Sequence, residues 1–182
     1  MPRRQPPPPR LWLVSDARND ARLEAAVARL PRGSGVIFRH GHLGPVERRA
    51  RFDQVARAAR RCGHRIVLAG SPALARRWGA DGAYGHPRLL ARGPAMLRLA
   101  TAHSLAEIAA ARRARADAVL LSPVYATRSH PGGPPLGPVR FLLLACLAGL
   151  PVIALGGMTA MRAQLLPVHG WAAIDGLTPA DS

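Results

Sequence analysis

Eight short apolar runs, separated by stretches of helical periodicity, recur along the whole chain, and this rhythm constrains the fold more than any composition figure. The runs cover residues 11–15, 36–39, 65–69, 82–84, 96–100, 117–121, 151–155 and 172–174. Most are continuous rather than alternating, as strands covered on both faces must be. Between them, Leu23, Val27 and Leu30 fall on one helical face, residues 45–62 form a second helix with Pro45 in its first turn, and a further helix lies between Gly137 and Gly149. Ser104 with Glu107 three residues on has the form of a capping box. A small-Asp-small step recurs at Ala80-Asp81-Gly82 and Ala116-Asp117-Ala118, each time between a helix end and a strand. The pattern predicts an α/β fold, a (β/α)8 TIM barrel, with a doubly wound open sheet as the alternative that eight strands fit less well. At 182 residues the chain is short for a barrel, and with only 176–182 after the eighth run the last helix is expected to be missing or vestigial. Residues 11–182 form one domain in this reading, and residues 1–10 a disordered, solvated Pro/Arg-rich arm.

The charge is lopsided, with 26 basic and 10 acidic residues and a net charge of +16. Every basic residue is arginine, whereas a surface shaped for polyanions would mix in lysine. Together with 18 Gly and 18 Pro this points to coding bias rather than nucleic-acid binding, although the field attracts phosphorylated ligands either way. Two cysteines, Cys62 and Cys146, are too few for a disulfide framework and are expected to be buried, reduced thiols of a cytoplasmic protein. No signal peptide is seen. The uncharged stretch 141–158 is split by Pro151 into a helix and a buried strand, so no membrane span is expected.

In a barrel the chemistry sits at the C-terminal ends of the strands, with phosphate commonly held after strands seven and eight. Strand seven runs directly into Gly156-Gly157, whose N–H groups can approach an anion beside a helix N-terminus. A plain tight turn is the other reading of that pair. Asp16 and Arg18 follow strand one, Arg39, His40 and His42 follow strand two, and His103 follows strand five, where it either serves the site or caps locally. Tyr125, Thr127, Arg128, Ser129 and His130 lie in a Pro/Gly-rich loop suited to a lid. No P-loop, Ser-His-Asp set or Cys-x-x-Cys motif is apparent, and the histidines lack metal-ligand spacing.

Six motifs in order resemble those of the thiamine phosphate synthase and TenI family. They are Leu13-Val14-Ser15-Asp16, Val36-Ile37-Phe38-Arg39, Gly79-Ala80-Asp81-Gly82, Ala102-His103-Ser104 with Glu107, Ser122-Pro123-Val124-Tyr125-Ala126-Thr127, and the run from Pro151 to Thr159. The resemblance spans about residues 11–176. It implies a barrel that joins hydroxymethylpyrimidine pyrophosphate to thiazole phosphate, with Mg2+ on the pyrophosphate. It places Arg39, Thr127 and Ser129 at the pyrophosphate and Gly156-Gly157 at the thiazole phosphate. The residues expected to carry catalysis are then Arg39, His103, Thr127, Ser129 and His130, and those binding phosphate Gly156, Gly157, Gly176 and Arg128.

The departures from the family's pattern concentrate on its metal and its lysines. The Asn-Asp after strand three is Ala69-Gly70, and no acid lies between Gly82 and Ala106, so the Mg2+ carboxylates are absent and no metal ligand is assigned. The two lysines are Gly41 and His130, and an Asp at 175 would repel phosphate unless turned away. Arg18, Arg88, Arg128 and His130 are the candidate substitutes, Arg88 in place of the metal charge. The histidine of the TenI tautomerase motif is Pro123. The expected partners are a phosphorylated thiazole or pyrimidine, or thiamine phosphate. A non-catalytic binder of such ligands and a basic polyanion binder are the alternatives. Barrel surface left bare by the short eighth unit predicts a homodimer, or cover by the N-terminal arm.

Overall fold

A computed structural model describes residues 7–129 and 132–178. Eight parallel strands pair in sequence order and close on themselves: β1 (Leu11–Val14), β2 (Gly35–Phe38), β3 (Arg65–Ala69), β4 (Gly82–Gly85), β5 (Leu97–Ala102), β6 (Ala118–Leu121), β7 (Val152–Ala154) and β8 (Gly170–Ala173). The helices between them are α1 (Leu23–Arg29), α2 (Pro45–Arg61), α3 (Pro72–Trp78), α4 (Pro87–Leu90), α5 (Leu105–Arg113), α6 (Gly137–Cys146) and α7 (Ala160–Gln164). After β8 comes only a 3-10 turn, Asp175–Leu177, within the described residues. The barrel expectation holds and the open sheet does not. Strand limits shift by a residue or two; β8 begins at Gly170 because Trp171 N–H bonds Arg10 C=O at 2.8 Å, a pairing invisible in a His-Gly-Trp sequence.

Strand residues alternate between two buried layers. Trp12, Val14, Ile37, Val67, Leu99, Leu120 and Ile153 fill the barrel, while Leu13, Phe38, Leu68, Val119 and Leu121 pack outward under the helices. Continuous apolar runs in the sequence are the consequence of both layers being dry. Trp12 is the largest interior side chain, fully buried, and it pairs in register with Gly35. A Cβ at Gly35 would lie 2.2 Å from the Trp12 ring, so the tryptophan depends on the glycine across the ladder. Its indole N–H donates to Pro9 C=O at 2.7 Å. Pro8 and Pro9 are buried, and His169 Nε2–H donates to Pro8 C=O at 2.9 Å. The end of the arm is thus packed against the barrel rather than solvated, because a buried indole needs an acceptor and the arm supplies it; residues 1–6 lie outside the described residues.

The repeated small-Asp-small step has one physical role used twice. Asp81 accepts from Ile66 N–H at 2.7 Å and donates its own N–H to Ile66 C=O; Asp117 does the same with Arg98, at 2.8 Å. Each carboxylate fastens the start of the preceding strand to the strand it introduces.

Two expectations need correction. Cys62 is only half-buried and Cys146 is exposed, the latter because it sits on the outer side of α6 rather than on the face that buries Phe141. Exposed apolar side chains occur singly on α2, α4 and α5, as Val46, Leu89 and Leu105, and in greater number on α6, α7 and their caps, as Val139, Leu143, Leu147, Met161 and Leu165. Among the described residues no helix is long and apolar enough to cross a membrane.

Candidate functional site

The C-terminal ends of the strands surround a cavity of about 730 Å³. Arg39 from the end of β2, His103 after β5, and Thr127, Arg128 and Ser129 after β6 all line it, as do Gly156 and Gly157 after β7 and Gly176 after β8. The barrel therefore brings together every residue expected to carry catalysis or bind phosphate except His130, which lies outside the described residues, while the strand-end candidates Asp16, His40, His42 and Tyr125 do not line the cavity. Arg88 does not line the cavity: it opens α4, where its N–H is capped by His86 Nδ1 at 3.2 Å.

Gly156 and Gly157 are left-handed, with φ of +96° and +62°. A Cβ on the first would meet Pro123 Cα at 2.6 Å, and on the second Ala126 C=O at 2.5 Å. Tyr125 N–H bonds Gly156 C=O at 3.1 Å, which ties the β7 and β6 loops together. A Cβ at Gly176 would strike Met158 C=O at 2.2 Å, so the β8 loop presses on the β7 loop in the same way. The tight-turn reading holds, and the same turn leaves the backbone of the pair uncovered by side chains of its own. Among the described residues, none of the N–H groups of Gly156, Gly157 and Gly176 donates to a backbone carbonyl, which leaves three donors for an anion. The helix dipole expected here is slight, since α7 has five residues.

Arg18 straps three loops together. Its Nε donates to Asp16 at 3.0 Å, Nη1 to Asp175 at 3.2 Å and Nη2 to Ser129 Oγ at 2.8 Å. Burial pushes the Asp16 carboxyl up, but hydrogen bonds from Arg18 and the charges of Arg18 and Arg39 outweigh it and hold the group below its ordinary value. Asp175 is turned to Arg18, which neutralises the carboxylate that would otherwise face a phosphate. Arg162 reaches back from α7 to Gly157 C=O and lies 4.5 Å over the Tyr125 ring. The guanidiniums of Arg39 and Arg128 have no hydrogen-bonded acceptor among the described residues, and they are the cavity's free cations.

His103 Nδ1 lies 2.7 Å from Ser122 C=O. A carbonyl only accepts, so Nδ1 carries the hydrogen and Nε2 is left as the basic nitrogen. The capping box also differs from expectation: Ser104 Oγ accepts from Glu107 N–H, but Glu107 accepts from His103 N–H at 2.6 Å rather than from Ser104. Glu107 thereby fixes the backbone of His103 itself.

Sequence reasoning overlooked Tyr84, Arg162 and the support behind Arg39. Tyr84 is buried at the cavity floor, and burial pushes its hydroxyl pKa up. Only the inward parity of β4 distinguishes it from an outer-layer residue. Behind Arg39, and contrary to the sequence reading, a serine, a histidine and an aspartate do come together. His40 Nδ1 is 2.8 Å from Ser15 Oγ and Nε2 is 2.7 Å from Asp20, while Ser15 Oγ also accepts from Arg39 N–H at 2.9 Å. Ser15 is fully buried and does not line the cavity, so the set braces the Arg39 backbone and is not a nucleophile. Arg51 completes it by binding Asp20 at 2.7 Å and Glu24.

Burial holds His40 below the usual imidazole value despite Asp20, and burial does the same for His64, whose Nδ1 has no partner. The unfolded chain therefore takes up protons at these two positions near pH 6.5 where the folded chain does not. Stability is full above pH 6.5 and falls as pH drops toward the lowered values. The thermal midpoint is expected to decline between about pH 7 and 5 and to decline less in a His40→Gln/His64→Gln double variant. A midpoint equally flat in both proteins would overturn this assignment.

The residues present do not fit the Mg2+ that the resemblance implies. The cavity's one carboxylate, Asp175, is bonded to Arg18, and among the described residues no group of three His, Cys, Asp or Glu side chains could hold a metal ion. At the end of β3, Arg48 donates to Ala69 C=O at 2.7 Å and to Arg39 C=O at 2.9 Å, so a guanidinium is fixed beside the position where a carboxylate would be needed.

The sequence model of the family described as thiamine monophosphate synthase matches residues 11–177, nearly the whole barrel. The chain belongs to the thiamine monophosphate synthase family. It is 36% identical over 129 residues to the thiamine biosynthesis bifunctional protein ThiM/ThiE of Symbiobacterium thermophilum, covering 66% of this chain and 27% of that protein. It is 33% identical over 78 residues to the putative thiamine-phosphate synthase 2 of Aquifex aeolicus, covering 43% of this chain and 42% of that one. The matched stretches thus span well under two thirds of either relative. Among solved structures, the thiamine phosphate pyrophosphorylase of Pyrococcus furiosus superposes with a TM-score of 0.77 over 91% of this chain and 85% of its own, at 18% identity. That likeness shows the fold, and it agrees with membership of the thiamine monophosphate synthase family.

Proposed function

We propose that this family member binds hydroxymethylpyrimidine pyrophosphate and thiazole phosphate in the cavity and joins them to thiamine phosphate. The observation that carries the reading is the convergence on one cavity of two free guanidiniums, Arg39 and Arg128, with the backbone donors of Gly156, Gly157 and Gly176. That arrangement suits phosphorylated groups bound between the strand ends. In the reaction the bond between the pyrimidine methylene carbon and the pyrophosphate oxygen breaks, and its electron pair leaves with the pyrophosphate. The thiazole ring nitrogen then donates its lone pair to that carbon. No proton is transferred, so a site without a dedicated general base is sufficient, and its work is electrostatic. Arg39 and Arg128 meet charge developing on the leaving group, Thr127 and Ser129 add hydroxyl donors, and the glycine loops anchor the thiazole phosphate. His103 Nε2 orients substrate.

Non-specific polyanion binding has less support. Several arginines donate to backbone carbonyls of the fold itself, Arg10 to His169, Arg60 to Gly79 and Arg98 to Ala114. Calorimetric titration with thiazole phosphate, followed by addition of the pyrimidine pyrophosphate and assay for thiamine phosphate, tests the proposal. Saturable binding and product formation are expected. Binding without product would reduce the protein to a carrier of these intermediates, and absence of both would overturn the reading.

A further inference from the structure

We infer that the cavity takes the diphosphate with guanidinium groups as its only cations, with no divalent cation. This rests on reading the cavity as an anion site, but not on the identity of the second substrate. Four guanidiniums line the cavity, those of Arg18, Arg39, Arg128 and Arg162, against the single carboxylate of Asp175. Asp175 is already bonded to Arg18, which also holds Asp16 just outside the lining, so the lining side chains balance at three positive charges, or two once Asp16 is counted. A divalent cation entering this space would meet net repulsion and find no pair of free carboxylate oxygens, whereas a diphosphate would be neutralised in place.

The cations are also positioned. Arg39 is held at its backbone from both sides: its N–H donates to Ser15 Oγ at 2.9 Å, and its C=O accepts from Arg48 at 2.9 Å. Arg48 places a fifth guanidinium behind the ends of β2 and β3, where it binds Ala69 C=O. Arg48 does not line the cavity, so its part is to hold the Arg39 carbonyl rather than to add charge at the wall. Arginine presents paired donors in a plane that matches two phosphate oxygens, and it keeps its charge at any working pH. The fully buried Ser15 and nearly fully buried His40 keep the Arg39 backbone fixed, so only its side chain has to be ordered when ligand arrives.

Inorganic pyrophosphate is the probe, titrated calorimetrically into the full chain in excess EDTA and again in Mg2+. Saturable binding at one site in EDTA is expected, with affinity unchanged or lowered by Mg2+, which competes for the probe. Arg39→Ala and Arg128→Ala are each expected to weaken binding about 10- to 100-fold, the loss of one charge-assisted contact, and Arg39→Lys to recover part of it. Circular dichroism of each variant separates lost contact from lost fold. Binding that requires Mg2+, or a folded Arg39→Ala/Arg128→Ala double variant with unchanged affinity, would overturn the inference. The two proposals fail separately. Metal-free pyrophosphate binding without thiamine phosphate formation would leave this one standing, and thiamine phosphate formation that depends on Mg2+ would sink it alone.

Discussion

Replacing Trp12 with alanine is expected to lower the unfolding free energy by about 3–5 kcal/mol, a large share of what a domain of this size has. Trp12 is fully buried at the centre of the barrel, and its ring occupies the space left by the missing side chain of Gly35 on the neighbouring strand. Truncation removes the apolar contact and leaves a void that closed strands cannot collapse to fill. It also strands the Pro9 carbonyl, which accepts the indole N–H at 2.7 Å. Gly35→Ala is expected to be damaging alone, because its Cβ would fall 2.2 Å from the ring, yet nearly silent in the Trp12→Ala background. Urea unfolding of the two single variants and the double variant measures this coupling. Additive losses would show that the two positions do not share the space.

Gly157→Ala is the second large effect, and it links packing to ligand binding. The residue is left-handed at φ +62°, and a Cβ would lie 2.5 Å from Ala126 C=O and 2.9 Å from Tyr125 Cβ. The backbone conformation and the clash together are expected to cost about 2–4 kcal/mol. Relief requires the β7 loop to move away from the β6 loop, which takes the Gly156 and Gly157 donors out of line with a phosphate. A protein that still folds is therefore expected to bind thiazole phosphate at least about tenfold more weakly. Gly41→Ala is the control, since a Cβ there meets nothing within 4 Å. Unaltered phosphate affinity in a folded Gly157→Ala protein would show that the pair serves packing alone.

What the sequence conveyed and what it hid divide along a physical line. Strands buried on both faces produce continuous apolar runs, so the eight repeats and their order were legible, and a barrel then fixes which strand ends meet. That is why Arg39, His103, Thr127, Ser129 and Gly156-Gly157 could be placed at strand ends, whereas the choice of these among the polar residues there, and of Gly176, rested on the family resemblance. Parity was not legible: a run such as Gly82-Ala83-Tyr84 does not say which residue faces inward, so Tyr84 went unremarked. Contacts between distant loops were equally silent. Nothing in the neighbourhood of Arg18 shows that it would reach Asp175 and Ser129, and nothing near Arg48 shows that it would span the ends of β2 and β3. The arm misled for a related reason. A proline run reads as solvated unless one knows that a tryptophan three residues beyond its last ring requires an acceptor.

Closure of the sheet joins its first strand to its last, Leu11 opposite Trp171. During synthesis β1 therefore waits for almost the entire barrel to emerge before its second neighbour exists. Until then the nascent chain carries an open parallel sheet with an apolar, unpaired edge, the kind of surface that recruits chaperones or other nascent chains. The interval between the birth of β1 and the arrival of β8 is accordingly the period in which that edge is open to other chains.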